Sequence, residues 1–130
     1  MATTPLISII IGGRNDNYQQ DWIGRLEYVL NFDLLNLDTI GLGANVEFCI
    51  VDYGSKNKIR DHIRTDNKST TVKFIEVDFQ SSDEVDYHVS KALNIGLKNA
   101  TGKYCMITGS DQFLSATAWY NLINFLKKKE

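Results

Sequence analysis

Short runs rich in β-branched residues alternate along the chain with longer segments whose apolar residues recur every three or four positions. The first pattern is typical of buried strands and the second of one face of a helix. The patterns predict a short helix at residues 57–64, where Ile59 and Ile63 lie one turn apart. The other predicted elements are strands at residues 6–11, 46–51, 71–77 and 103–108, and helices at residues 18–37, 85–100 and 116–128.

This order of elements predicts an α/β fold, a mostly parallel sheet of about four strands with helices on both faces. Open sheets of this kind bind ligands beyond the carboxyl ends of their strands. Small and polar residues follow all four predicted strands, at positions 12–15, 52–55, 78–80 and 109–111. We therefore expect the functional residues at this edge of the sheet.

Length and composition restrict the class of protein. The chain has 130 residues, which predicts a single domain because domains usually have roughly 100 to 200 residues. Its 43% apolar and 23% charged residues are typical of a globular protein and exclude disordered and disulfide-scaffold classes. A net charge of −2 gives no indication of a nucleic-acid partner.

The cysteines and the N-terminus bear on the cellular compartment. Cys49 and Cys105 lie in apolar runs without further metal ligands at a suitable spacing, so both are predicted to be buried, reduced thiols. The N-terminus lacks the basic and apolar segments of a signal peptide. No apolar run approaches the ~20 residues of a membrane helix. A cytoplasmic protein is expected.

The segment after the first predicted strand contains Gly12, Gly13 and Arg14. Glycines at a turn between strand and helix let a ligand approach the backbone, and the free N–H groups of a helix start bind anions. The spacing matches neither the dinucleotide fingerprint GxGxxG nor the phosphate loop GxxxxGK[ST]. Two interpretations stay open, a nucleotide-binding turn and a tight turn followed by a solvated arginine.

Two carboxylates are candidate ligand groups after the second and fourth strands. Asp52, followed by Ser55, can accept a hydrogen bond from a base or a ribose, or it can stabilise the turn itself. Asp111, preceded by Ser110, can hold Mg²⁺ or Mn²⁺, because these ions take their other ligands from water and phosphate. A turn or helix-capping role for Asp111 is the alternative.

His88 and Lys91 lie near the start of the helix predicted at residues 85–100. Positive charge there could neutralise a diphosphate. A structural imidazole and a solvated lysine are the alternatives. The acidic residues at positions 83, 84 and 86 suit the first turn of that helix, where negative charge complements the helix dipole.

Four blocks of the sequence carry a resemblance to one enzyme family. The blocks are residues 7–15, similar to that family's opening strand and Pro-Thr-Tyr-Asn turn; 50–55, similar to Val-Val-Asp-Asp-Gly-Ser; 91–104, similar to its Ala-Arg-Asn-x-Gly segment; and 106–114, similar to its signature strand. Together they resemble the nucleotide-binding half of a family 2 glycosyltransferase of the GT-A fold. The sequence departs from the family pattern where residues 12–14 replace Pro-Thr-Tyr, where Leu93 replaces the Arg before Asn94, and where Gly109 replaces the first Asp of the Asp-x-Asp signature.

The resemblance implies a nucleoside diphosphate sugar as ligand, with a UDP-sugar favoured, and Mg²⁺ or Mn²⁺ as cofactor. It places the base on Asp52, the nucleoside against the backbone of residues 12–14, and the metal on Asp111. The implied reaction is an inverting transfer to a hydroxyl of an acceptor glycan, lipid or protein. The acceptor-binding half has no counterpart here, so residues 1–130 are expected to be the donor-binding portion of a longer enzyme, without assured activity of their own.

Two other functions stay open from the sequence. One is a non-catalytic nucleotide-binding or interaction module with a GT-A-like fold, which the glycine at position 109 would suit. The other is a flavodoxin-like protein that binds flavin or phosphate at the Gly12 turn. Sugar transfer by the full-length protein would exclude the non-catalytic module, and flavin binding would identify the flavodoxin-like protein.

Overall fold

The computed structural model describes residues 4–15, 21–65, 69–78 and 88–129. No helix within these ranges combines the length and the apolar content needed to cross a membrane. Two 3₁₀ turns lie on either side of the second strand, at Gly43–Asn45 and Ile59–Asp61. The strands are β1 (Ile7–Gly13), β2 (Val46–Tyr53), β3 (Thr71–Val77) and β4 (Tyr104–Ile107), and the helices are α1 (Trp22–Thr39), α2 (Val89–Asn99) and α3 (Ala116–Lys127).

The four strands form one parallel sheet in the order β3-β2-β1-β4. Ile7 at the start of β1 stands opposite Val46 on one side and Tyr104 on the other. Because all strands run in the same direction, their carboxyl ends meet at one edge of the sheet. The predicted α/β fold with a parallel four-stranded sheet is confirmed.

Helices cover both faces of the sheet. The odd-numbered residues of β1, from Ile7 to Ile11, pack with α1 and with Trp119 of α3 in the larger apolar cluster. On the opposite face, Ala92 of α2 packs with Val51 of β2. Burial of each large apolar side chain stabilises the fold by roughly 1.5–3 kcal/mol. Because successive residues of a strand point to opposite faces of the sheet, the strands contribute apolar side chains to both layers of the core.

Local signals set two of the helix ends. Ser115 precedes α3, and its Oγ accepts the N–H of Ala118 at 3.1 Å, which satisfies one unpaired donor of the first turn. At the end of α1, Gly41 has a φ of 70°. The N–H groups of Gly41 and Leu42 return to carbonyls of the last turn. This is the Schellman arrangement, in which a glycine in the left-handed region closes the helix.

Several predicted boundaries are wrong. Strands β1 and β2 each continue two residues further than predicted, so Gly12 and Gly13 belong to β1 rather than to a turn. The helix predicted at residues 57–64 is only a 3₁₀ turn at Ile59–Asp61, although Ile59 and Ile63 are both buried. Helix α2 is described from Val89 onwards, and the acidic residues predicted to begin it lie outside the described residues.

The prediction for the two cysteines holds in part. Both thiols are free, and Cys49 is buried as predicted. Cys105 is exposed, which contradicts the prediction. The cause is its position on β4, an edge strand, whereas α2 packs against β1 and β2. The neighbouring Ile107 on the same face of β4 is 53% exposed for the same reason.

A buried carboxylate on α1 joins the two helices of the larger cluster. Oδ1 of Asp33 accepts the N–H of Leu114 at 2.9 Å and the indole Nε1–H of Trp119 at 3.0 Å. Burial raises the pKa of Asp33 from 3.8 to about 6, although both hydrogen bonds act to lower it. The folded protein therefore binds a proton on Asp33 more tightly than the unfolded chain does.

A second buried carboxylate lies on the α2 side of the sheet. Glu47 accepts hydrogen bonds from the hydroxyl of Ser8 and from the N–H of Thr101, and Lys73 pairs with it at 2.9 Å. Burial acts to raise the pKa of Glu47, but these hydrogen bonds outweigh burial and hold the pKa at about 2. This acid therefore stabilises the fold in its charged form.

The two acids predict opposite slopes in the dependence of stability on pH. Asp33 has a raised pKa, so its contribution is present below pH 4 and is lost as the pH rises to about 6. The Asp33→Asn variant keeps an acceptor oxygen but cannot titrate. Wild type should lose about 2 kcal/mol of unfolding free energy relative to this variant between pH 4 and pH 6. Urea denaturation across this range measures the difference.

Glu47→Gln is the counterpart for the acid side. Glu47 has a lowered pKa, so its contribution is present above pH 4.5 and is lost as the pH falls towards 2. In the Glu47→Gln variant, the unfolding free energy should lose its Glu47-dependent fall between pH 4.5 and about pH 2, with no change in its pH dependence elsewhere. Parallel curves for wild type and Asp33→Asn between pH 4 and pH 6 would contradict the assignment of Asp33.

Candidate functional site

The carboxyl edge of the sheet brings together residues that are far apart in the sequence. Gly12 and Gly13 end β1, and Gly13 stands opposite Asp52 of β2. Ser110 and Asp111 follow β4, which pairs with β1 on its other side. The predicted site residues from three strands thus share one edge, with β1 in the centre.

Hydrogen bonds join the segment after β1 to the segment after β2. Nε of Arg14 donates to the carbonyl of Tyr53 at 2.7 Å, and the guanidinium lies over the Tyr53 ring, 5.7 Å from its centroid. The N–H of Asn15 donates to Oγ of Ser55 at 2.7 Å, and its Nδ2 donates to the carbonyl of Asn57 at 3.2 Å. Arg14 and Ser55 therefore help to build this edge and are not merely solvated.

Asp52 is the most buried of the predicted ligand groups. The residue is 1% exposed. Oδ1 accepts the N–H of Ser55 at 3.1 Å, and Oδ2 accepts the N–H of Ile59 at 2.9 Å. The turn between them includes Gly54, with a φ of 80°. The turn-stabilising role that the sequence left open for Asp52 is thus present, and contact with a nucleotide base stays a prediction.

Trp22 at the start of α1 is a site residue that the sequence did not single out. A Cβ on Gly13 would lie 2.2 Å from Cζ2 of Trp22, so the indole packs directly on the bare backbone of β1. Its Nε1–H donates to Oγ of Ser110 at 2.8 Å. The structure places Gly13 in a strand and without a positive φ, so the close approach of the indole accounts for a glycine that the sequence assigned to a turn.

Asp111 is the exposed carboxylate of the segment after β4. No other described residue forms a hydrogen bond or an ion pair with it. The N–H of Gly109 donates to Oε1 of Gln112 at 2.7 Å, which folds the segment around Asp111. A Cβ at position 109 would lie 3.1 Å from Oδ1 of Asp111, so any side chain at this position would crowd the carboxylate.

The residues at this edge fit a hard divalent cation. Within the described ranges, no three His, Cys, Asp or Glu side chains are arranged to hold a metal by themselves. Asp111 offers one open carboxylate, with the hydroxyl of Ser110 next to it in sequence. Mg²⁺ and Mn²⁺ accept such a set because water and phosphate oxygens complete their coordination, whereas a structural zinc site needs four protein ligands.

Basic side chains lie at two places near the edge. His88 occupies the N-cap position of α2 and Lys91 lies in its first turn, and both are exposed. Lys58, which the sequence did not single out, forms ion pairs with Asp78 and Glu76 at the end of β3. The hydrogen bond that Lys58 donates to the carboxylate of Asp78 raises the pKa of Lys58. The charge of Lys58 is thus paired with acids at the end of β3, whereas the side chains of His88 and Lys91 on α2 are exposed.

Comparisons with known proteins agree with this architecture. A sequence model described as glycosyl transferase family 2 matches residues 32–130. The crystal structure of S. aureus TarS 1-349 is similar to this chain, with 18% sequence identity and a TM-score of 0.58, over 95% of this chain and 32% of that one. At this identity the likeness shows the fold alone, and the chain spans about a third of the TarS structure. No curated protein sequence matches the chain.

The two backbone hydrogen bonds of Asp52 predict the effect of Asp52→Asn. An amide offers one acceptor oxygen, so its NH₂ group would face the N–H of Ser55 or of Ile59. Leaving this buried donor unsatisfied should lower the unfolding free energy by about 1–3 kcal/mol, as measured by urea denaturation at pH 7. Asp78→Asn, which removes an exposed carboxylate at the end of β3, should cost less than about 1 kcal/mol. Equal losses in the two variants would show that Asp52 does not hold the turn.

Proposed function

The chain belongs to glycosyl transferase family 2, and we propose that it forms the donor-binding part of an inverting glycosyltransferase that uses Mg²⁺ or Mn²⁺. The donor is a nucleoside diphosphate sugar, with a UDP-sugar favoured. The observation that carries the proposal is the exposed carboxylate of Asp111 after β4, next to Ser110, whose hydroxyl is held by Trp22 at the carboxyl edge. Ligands of open parallel sheets bind at this edge.

Each part of the donor has a proposed partner. The diphosphate and the metal lie against Asp111 and Ser110, and the exposed side chains of His88 and Lys91 add positive charge and hydrogen-bond donors from α2. The nucleoside lies against the backbone of residues 12–14, on a side other than the one that the Trp22 indole covers at Gly13. Asp52 holds the base either through its carboxylate or through the turn that it stabilises.

The proposed reaction is a displacement at the anomeric carbon. An acceptor hydroxyl forms the new glycosidic bond while the bond from the sugar to the diphosphate breaks, and a carboxylate base takes the hydroxyl proton. Asp111 would hold a divalent cation, which would supply positive charge to neutralise the diphosphate as it leaves. Asp111 and Ser110 position the diphosphate for this departure. No described residue is assigned as the base, which we place with the acceptor-binding part of the whole enzyme.

Asp111→Ala tests the proposal. Calorimetric titration of UDP should show binding that Mn²⁺ strengthens in the wild type. The variant should lose this metal dependence, because it lacks the only protein carboxylate assigned to the cation. UDP affinity without metal should stay the same. Asp61→Ala, which removes an exposed carboxylate from the 3₁₀ turn Ile59–Asp61, is the matched control and should bind as the wild type does.

Two outcomes would contradict the proposal. Unchanged Mn²⁺ dependence in Asp111→Ala would remove Asp111 from the metal site, and absence of UDP, GDP and UDP-sugar binding would remove the donor site. Transfer is tested on the full-length protein. A full-length protein that binds a UDP-sugar with Mn²⁺ but neither transfers nor hydrolyses the sugar would instead be the non-catalytic module.

A further inference from the structure

The segment between β4 and α3 that carries Asp111 is attached to α1 on both sides of that residue. On one side, Nε1 of Trp22 donates to Oγ of Ser110 at 2.8 Å. On the other side, Leu114 is held through both of its backbone groups. Its N–H donates to Oδ1 of Asp33 at 2.9 Å, and its carbonyl accepts from Nδ2 of Asn36 at 2.9 Å.

These attachments have little freedom to move. The indole of Trp22 packs on the backbone of Gly13, where a single added methyl group would overlap it. Asp33 is 4% exposed, and the same Oδ1 atom also accepts the indole N–H of Trp119 from α3. Both attachment points are thereby fixed to the core of the protein rather than to its surface.

We propose that Trp22 and Asp33 are positioning residues, through which helix α1 holds the segment 110–114 so that Asp111 is already in place for a divalent cation and a diphosphate. This inference rests on the proposed function. Neither residue touches the ligand in this account. Each acts through the backbone or the hydroxyl of the segment that it anchors.

The physical reason is the small number of protein ligands. A site with a single carboxylate has no second protein ligand to fix the position of the first. If the segment were mobile, binding would have to offset the entropy of ordering it. Anchoring on both sides of Asp111 removes that cost before the ligand arrives. Outer groups that orient a metal ligand commonly change metal affinity by about 10- to 100-fold.

The variants separate positioning from general stability. Trp22→Phe keeps a ring against Gly13 but lacks the N–H that reaches Ser110. Asp33→Leu removes the acceptor for Leu114, and Asp33→Asn restores an acceptor oxygen in the same shape. The control is Asn31→Ala. Asn31 also lies on α1 and donates to a backbone carbonyl, that of Arg64 at 2.8 Å, in a segment that does not carry Asp111.

The measurement is a titration of Mn²⁺, followed by its electron paramagnetic resonance signal, with UDP present in excess. Trp22→Phe and Asp33→Leu should each weaken Mn²⁺ binding by about 10- to 100-fold. Asp33→Asn and Asn31→Ala should stay within about threefold of the wild type. UDP binding without metal should be the same in every variant. Amide hydrogen exchange of residues 109–114 is measured on the same proteins.

The outcomes distinguish the inference from the function on which it rests. If wild type binds Mn²⁺ with UDP and a folded Trp22→Phe binds it equally well, the positioning role is overturned. A weakening of Mn²⁺ binding by Asn31→Ala as large as that by Trp22→Phe would also overturn it, because the effect would then be one of stability.

If wild type does not bind Mn²⁺ with UDP, the proposed function fails. In that case, the amide exchange of residues 109–112 still tests the anchoring. An acceleration of about tenfold in Trp22→Phe would show that α1 orders the segment, and unchanged exchange would overturn the anchoring itself.

Discussion

The segments that follow the strands at the carboxyl edge of the sheet need hydrogen-bond acceptors for their backbone N–H groups. This requirement shapes the rest of the structure. Beyond the last ladder pair, each segment has donors without a strand partner, and a buried donor without an acceptor costs about 1–3 kcal/mol. Side chains of this chain supply the acceptors. They are Asp52 for Ser55 and Ile59, Ser55 for Asn15, Gln112 for Gly109, and Asp33 for Leu114.

This requirement divides the polar residues of the edge into two groups. Asp52, Ser55 and Asp33 are buried and hold the connecting segments in place. Asp111 and Lys91 are exposed, and no other described residue forms an ion pair with either of them. The first group shapes the edge and the second group is open to a ligand. The proposed donor site therefore depends on carboxylates in different environments: Asp52 near the end of β2 is buried, whereas Asp111 after β4 is exposed.

The period of the apolar residues was sufficient to predict the strands, the three long helices and the parallel order of the sheet. The same pattern could not show that Cys105 is exposed, because exposure depends on where α2 crosses the sheet and not on the residues around the cysteine. It also could not separate the two roles of Asp52, since a buried turn acceptor and a ligand group have the same sequence. Trp22 was predicted only as an apolar helix residue, because its contacts with Gly13 and Ser110 join segments up to 88 positions apart.

The decisive measurement is a crystal structure of the chain with UDP and Mn²⁺, in which anomalous scattering locates the manganese. We expect a manganese ion at the carboxylate of Asp111 and a diphosphate at the carboxyl edge of β1 and β4. We also expect Asp52 to keep its hydrogen bonds to Ser55 and Ile59. A manganese ion away from Asp111, or a nucleotide bound elsewhere than at this edge, would contradict the account.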